Sequence, residues 1–386
     1  DETDLHAQHR AAVAGFGLCE QQLPSSYREL QLRSRHRRNL VEKASALACQ
    51  VREHLHLSMP GYSALFDRLL EHRMAMLIGR CCDSPAKVVK LGREGICKRL
   101  RKESIRCQHR TIDKILAWAS QTAEQPIEDG ELHHAIWTDL EELHQHFQQQ
   151  ITAIERDLAS ELVQTPYVRL MSIPGINVVS AADLAGEMGP INRYANANAI
   201  TGRSGLYPSR HQSDQTDTKG PIICAANRRL RCALMRIADN VVCHCAYYRG
   251  LAEVDLARGV DVRASRVKTA KKFSRLAFAC VAGDPPMRHP AFREPDSILE
   301  KLREFHRMHQ TPMQQVLADL TRTVEQLPGH TRGHEAKVVA GVLRRQAARR
   351  GGAVGIGELL TAVLARLGVN ENEVNETSTL ETGGRP

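Results

Sequence analysis

The chain has 386 residues, of which only 4% are aromatic, and its 53 Lys and Arg against 44 Asp and Glu give a net charge of +9. That length allows two or three domains, the scarcity of aromatics favours helix over sheet, and the positive balance points to an anionic partner, most simply nucleic acid. Eleven scattered cysteines, an odd number, argue against a disulfide framework, and the absence of a secretory signal or of an apolar run that could span a bilayer argues for reduced thiols in a cytoplasmic protein.

The opening stretch, DETDLHAQHRAAVAGFG, reads as a helix that Gly15 and Gly17 stop, and its start at Asp1 rather than Met implies a missing upstream segment. Asp1 and Asp4 stand at i, i+3 on one face. Two such carboxylates suit Mg²⁺, but acids also cap helix starts, and spacing alone favours that reading. The run RSRHRR, Arg33 to Arg38, reads as a phosphate track or as a solvated helix face. Leu40, Ala44, Leu47, Val51 and Leu55 predict a helix, broken by SMPGY at Ser58 to Tyr62, and shorter helices follow to Ser120. Ile136, Leu140, Leu143, Phe147, Ile151, Ile154, Leu158 and Leu162 form one apolar seam, which predicts a long helix packed on a partner helix in the same chain or across a dimer.

After Pro166 the pattern changes. LMSIPGINVVSAADLAGEMG, Leu170 to Gly189, predicts a helix, a Pro-Gly turn and a second helix. Its IPGIN core, with Pro174, Gly175 and Asn177, has the form of a helix-hairpin-helix turn. Such a turn offers backbone N–H groups to a phosphate, though a structural corner fits equally well. Asn177 stands where a second Gly is common, and is read as tolerating a left-handed backbone. GLYPSRHQSDQTDTKG, Gly205 to Gly220, reads as a long polar loop of the kind that carries function. Ser204, Ser209 and Ser213 have similar claims as nucleophiles on physical grounds, with Arg203, Arg210, His211 and Lys219 available to neutralise a phosphodiester.

Asn227 to Cys245 is an amphipathic helix with Leu230, Ala233, Leu234, Ile237, Val241 and Val242 buried and Arg228, Arg229, Arg231 and Arg236 displayed. Cys243 and Cys245, with Cys232 and Cys224 upstream, could suggest zinc. Residues two apart on a helix diverge, so buried free thiols are the better reading. A second basic helix, RVKTAKKFSRLAFACVAG, ends near Gly283. Residues 200–275 hold 15 Lys and Arg against 6 Asp and Glu, which equals the whole excess of the chain.

Taken together, LMSIPGINVVSAADLAGEMG, NANAITGRSGLYPSRHQSD and GPIICAANRRLRCALMRIA resemble the C-terminal domain of the insertion sequence 110/116/902 family of transposases, and DETDLHAQHRAAVAGFG resembles that family's D-x-x-D-A helix. The resemblance implies a DNA transposase with a RuvC-like domain that binds Mg²⁺ through four acids, here Asp1 and Asp4 as the last two. It also implies a serine nucleophile, which by position is Ser213, a guide RNA and a nucleoid setting. The DNA-binding set would be Pro174, Gly175, Asn177, Arg203, Arg210, Lys219, Asn227, Arg228, Arg229 and Arg231. Asp214 replaces the family's Gly after the serine, and Ile223 to Ala226 replace its Lys and Gly.

The fold class expected is mainly α, with the remnant of a RuvC-like (RNase H-like) α/β domain at 1–28. A helical linker follows at 29–165, its coiled coil at about 131–165 joining protomers into a homo-oligomer. A helical transposase domain with a helix-hairpin-helix-like turn occupies 166–283, a helical extension 284–369 and a disordered tail 370–386. With half its acids missing, the chain alone is expected to be incompetent for catalysis. The rival is a non-catalytic protein that binds nucleic acid and dimerises; a zinc-binding regulator is a third possibility that would require bound metal.

Overall fold

A computed structural model describes residues 6–7, 9, 22–106, 108–213, 216–223, 225–283 and 289–328, and side chains among them outside 210–219 and 221. The protein is mainly helical, as its composition implies. The Asp1 and Asp4 helix, Cys224, and everything after Pro328 lie outside the described residues. The chain divides into two compact units, one of Asp1–Ser34 with Arg156–Pro386 and one of Arg35–Glu155, and the boundaries fall inside two long helices.

The first of these helices, α1 (Ser25–Ser58), begins just after Pro24 and contains no Gly or Pro until Pro60 and Gly61 end it. It starts well ahead of Leu40, where the apolar pattern first becomes regular, and so contains the whole RSRHRR run. That run takes partners on the second long helix, α5 (Gly130–Leu162). Arg33 pairs with Asp157, and Arg37 meets Glu155 at 2.6 Å. These arginines therefore join helices.

Within the unit Arg35–Glu155, the helices α2 (Arg73–Cys81), α3 (Pro85–Lys102) and α4 (His109–Thr122) surround a core that includes Val51, Leu55, Tyr62, Ile96, Leu100, Ile115 and Trp137. Several of its buried polar groups find partners, although Trp137 Nε1 has none among the described residues. Tyr62 Oη donates to Ala75 O at 2.8 Å, Trp118 Nε1 to Pro60 O at 2.9 Å, and Arg80 grips the buried Glu141 through two hydrogen bonds of 2.6 and 2.9 Å. A smaller cluster of Leu40, Ala44 and Ile151, flanked by Val41, Phe147 and Ile154, sets α5 against α1. This stretch of the apolar seam is thus met within the chain, while Leu143 stays 51% exposed.

The other unit contains α6 (Val178–Met188), α7 (Ala197–Ser204), a two-stranded antiparallel hairpin of β1 (Pro208–Ser213) and β2 (Thr216–Ile222), then α8 (Arg228–His244), α9 (Ala246–Ala257), α10 (Val262–Ala282), α11 (Asp296–Met308) and α12 (Met313–Gln326). Two expectations change. The segment before the Pro-Gly turn is a 3₁₀ helix, Pro166–Ser172, and the polar loop is the β-hairpin. Arg169, buried in that 3₁₀ helix, donates to Cys280 O (3.3 Å) and Gly283 O at the end of α10 and to Gln326 O (2.5 Å) at the end of α12. Carbonyls at helix C-termini lack intrahelical donors and carry partial negative charge, so one guanidinium closes two helix ends.

A buried polar network joins the 156–162 stretch of α5 to α11 and α12. Ser160 Oγ donates to Asp319 Oδ2 at 2.8 Å and accepts from Gln315 Nε2 at 2.7 Å. His306 Nε2 lies 3.4 Å from the same carboxylate without a hydrogen bond. Burial pushes the Asp319 carboxyl up to about 6, and burial with the neighbouring His309 holds His306 down at about 4. The two act in opposite directions. Asp319 contributes stability that is complete below its unfolded value and lost as pH rises through about 6. His306 contributes stability that is present above its unfolded value and lost as pH falls towards 4. Asp319→Asn should therefore gain about 1–3 kcal/mol near neutral pH, and its denaturant midpoint should fall more steeply than the parent's between pH ~6.5 and ~4. A parallel pH profile for the two proteins would rule this out.

Candidate nucleic-acid interface

The IPGIN turn is built by close approach. Gly175 has φ +90°, and a Cβ there would lie 2.6 Å from Asn240 O on α8, so only glycine fits both the backbone angle and the space. Asn177 does not take a left-handed backbone; its φ is −115° and ψ 178°. It is the N-cap of α6, with Oδ1 accepting from Ser180 N at 2.9 Å while its own N–H donates to Ser180 Oγ at 3.0 Å. Asn here does what a second glycine cannot. Two donors are thereby used, and the N–H groups of Val178 and Val179 have no partner among the described residues.

The carbonyl side of the same turn is held from α11 and the segment just before it. Lys301 Nζ donates to Met171 O (2.5 Å), Ile173 O (3.0 Å) and Ile176 O (3.0 Å), and Arg293 N donates to Ser172 O at 3.0 Å. Burial, with the nearby Arg293 charge, lowers the Lys301 ammonium to about 8. Sequence reasoning missed Lys301, because nothing in its local pattern links it to a turn some 125 residues earlier.

The serine hairpin has an equally specific root. Asn196 caps α7, which ends at Gly205 with φ +63°, where a Cβ would lie 2.6 Å from that of Ala226. Leu206 is buried, and Ile223 N donates to Tyr207 O at 3.3 Å. Across this base lies Arg231. Its Nε donates to Ser204 O at 2.9 Å and its Nη2 to Ile223 O at 2.5 Å, tying the chain before β1 to the chain after β2. Beyond the root the ladder pairs Pro208 with Ile222, Arg210 with Lys219, His211 with Thr218, Gln212 with Asp217 and Ser213 with Thr216. Ser213 is thus at the end of the ladder farthest from the root. Ser204 is buried with Oγ donating to Thr201 O at 3.0 Å, and Ser209 Oγ packs over Gly220.

The motif at the start of α8 divides its work residue by residue. Asn227 caps the helix, its Oδ1 accepting from Leu230 N at 3.0 Å. Leu230 enters the core, and Arg231 serves the hairpin. Arg228 and Arg229 are exposed and have no side-chain partner among the described residues. Arg236 pairs with the buried Asp183 at 2.7 Å. Arg203 donates to Tyr194 Oη at 2.8 Å and Met188 O at 3.3 Å. Cations free for a phosphate are thus fewer than the sequence suggests. Cys232 is half-buried, Cys245 buried and Cys243 exposed, all as free thiols. Among the described residues no three His, Cys, Asp or Glu side chains converge on a metal position, and no helix is long and apolar enough to cross a membrane.

A sequence profile of the Transposase IS116/IS110/IS902 family matches residues 167–252, from the 3₁₀ helix through the hairpin to α9. The chain is also similar to a transposase for insertion sequence element IS1328 from Yersinia enterocolitica, at 30% identity over 131 residues. That match covers 33% of this chain and 39% of the relative, so it spans about two fifths of the relative's length.

Replacing Lys301 leaves three carbonyls of the turn short of a donor. Lys301→Met should lower stability by about 1–3 kcal/mol. Unchanged thermal unfolding would show that the ammonium does not hold the turn.

Proposed function

We propose, from residues 167–252 belonging to the Transposase IS116/IS110/IS902 family domain, that the chain is part of an insertion-sequence transposase that cuts and rejoins DNA, with Ser213 as nucleophile. The observation that supports this best is the hairpin, which fixes its root through Arg231 and carries Ser213 in its last pair. Its register also sets Arg210 opposite Lys219.

In the proposed reaction, Ser213 Oγ attacks a phosphodiester phosphorus and forms a phosphoserine ester. A deoxyribose oxygen leaves and takes up a proton. Attack of a deoxyribose hydroxyl on that ester would rejoin a strand and return the proton to serine. Val178 and Val179 N–H at the start of α6, with Arg228 and Arg229 on α8, would hold the neighbouring backbone. Mg²⁺ would supply charge neutralisation at the phosphate, held in part by Asp1 and Asp4, which lie outside the described residues. A guide RNA and a second protomer, met through the exposed part of the α5 seam, complete the proposal.

The test is covalent trapping on nicked or branched duplex DNA with a version of the protein extended upstream of Asp1. An adduct that Ser213→Ala abolishes and Ser209→Ala retains is expected. Absence of any adduct, or its survival in Ser213→Ala, would favour a protein that only binds nucleic acid. In the same preparation Arg228→Glu with Arg229→Glu should reduce the slope of log affinity against log salt by about 2.

A further inference from the structure

We propose that the unit Arg35–Glu155 carries a second surface for duplex DNA, formed by the end of α3, the connection to α4 and the first turn of α4. It lies outside the matched residues 167–252 and does not depend on the role of Ser213. The unit as a whole is nearly neutral, with 18 Lys and Arg and 16 Asp and Glu, yet residues 85–114 hold 10 Lys and Arg against only 3 Asp and Glu. The remainder of the unit is acidic.

Half of these cations stand around the short connection between α3 and α4. Gly92, with φ +61° and ψ 179°, kinks α3. The segment after it buries Ile96 and Leu100 in the core, which leaves Lys98, Arg101 and Lys102 exposed at i, i+3 and i+4 on the opposite face. Ser104 then turns the chain with φ +53°, and exposed Arg106 and Arg110 follow. Lys98, Arg101, Lys102, Arg106 and Arg110 have no side-chain partner among the described residues. Lys87, Arg93 and Lys114, by contrast, are engaged with Asp83, Asp113 and Leu65 O. Arg99 likewise donates to Cys81 O, and Lys90, nearer the start of α3, is exposed without a side-chain partner among the described residues. Five of the six unpaired cations of residues 85–114 thus lie at the end of α3, the connection and the start of α4. Arg110 stands in the first turn of α4, which contains no acid, although the helix dipole disfavours a cation there. Stability alone would select against that arrangement.

The chemistry of the patch selects the partner. Residues 85–114 contain no Phe, Tyr or Trp, the large aromatic platforms on which runs of unpaired bases stack, and only His109 offers a ring. What remains is a row of flexible point charges and guanidinium forks at helical spacing, suited to successive phosphates of a duplex and indifferent to its sequence.

The experiment uses the whole chain, a duplex DNA of arbitrary sequence and a structured RNA, with affinity followed by fluorescence anisotropy between ~50 and ~200 mM salt. Lys98→Glu, Arg101→Glu and Lys102→Glu together should weaken duplex binding about tenfold or more at the lower salt, and reduce the salt slope by about 2–3. A control with the same charge change at Lys43, Arg68 and Arg258 should lose much less. All three target side chains are exposed, so thermal unfolding should match the parent. Equal losses in target and control variants would overturn the proposal, as would a loss confined to RNA. Arg228→Glu with Arg229→Glu separates the two surfaces, because failure of the α8 interface leaves the α3–α4 result standing.

Discussion

The guanidinium of Arg231 fixes the relation between the helical body around α8 and the polar hairpin that follows α7. A hairpin with few apolar residues cannot hold itself in place, since a two-stranded ladder is marginal alone in water. Here one charged group spans the gap between Ser204 O and Ile223 O, and charge-assisted hydrogen bonds of this kind are about twice as strong as neutral ones. Gly205 makes room for it, because a Cβ at that position would lie 2.7 Å from Arg231 Nη2. The placement of the Ser213 backbone follows from this tie and from the pairing beyond it.

The same device recurs through the unit. Arg169 closes the ends of α10 and α12, and Lys301 holds three carbonyls of the Pro-Gly turn. Each is a cation whose charge is spent on backbone carbonyls inside the fold. A positive balance in this unit thus has a structural component as well as an electrostatic one, and counting arginines overstates the cations left exposed. Arg228 and Arg229 illustrate the other class: adjacent to Arg231 in sequence, they are exposed and have no partner among the described residues.

The helices were legible in the sequence wherever apolar spacing was regular, as in α5 and α8, and the arrest of α1 at Met59 to Gly61 followed from Pro and Gly. The beginning of α1 was not, because its polar first turns carry ion pairs that only tertiary structure supplies. The hairpin was unreadable for a related reason. Its root is tied across by Arg231, and its strands lack the apolar alternation that announces a sheet. Of the candidate site, Asn177 and Asn227 were singled out for DNA contact, and the structure shows a capping role for both. The α3–α4 patch was hidden by averaging, since its excess is cancelled by acids elsewhere in the unit.

The measurement that bears most directly on this organisation is amide hydrogen exchange of Arg231→Ala and Arg231→Lys beside the parent protein. If the guanidinium holds the hairpin root, amides of β1 and β2 will lose protection in the alanine variant, lysine will restore only part of it, and α6 and α10 will exchange as in the parent. Unchanged protection across residues 208–222 in the alanine variant would contradict it, and would place the anchor of the hairpin elsewhere.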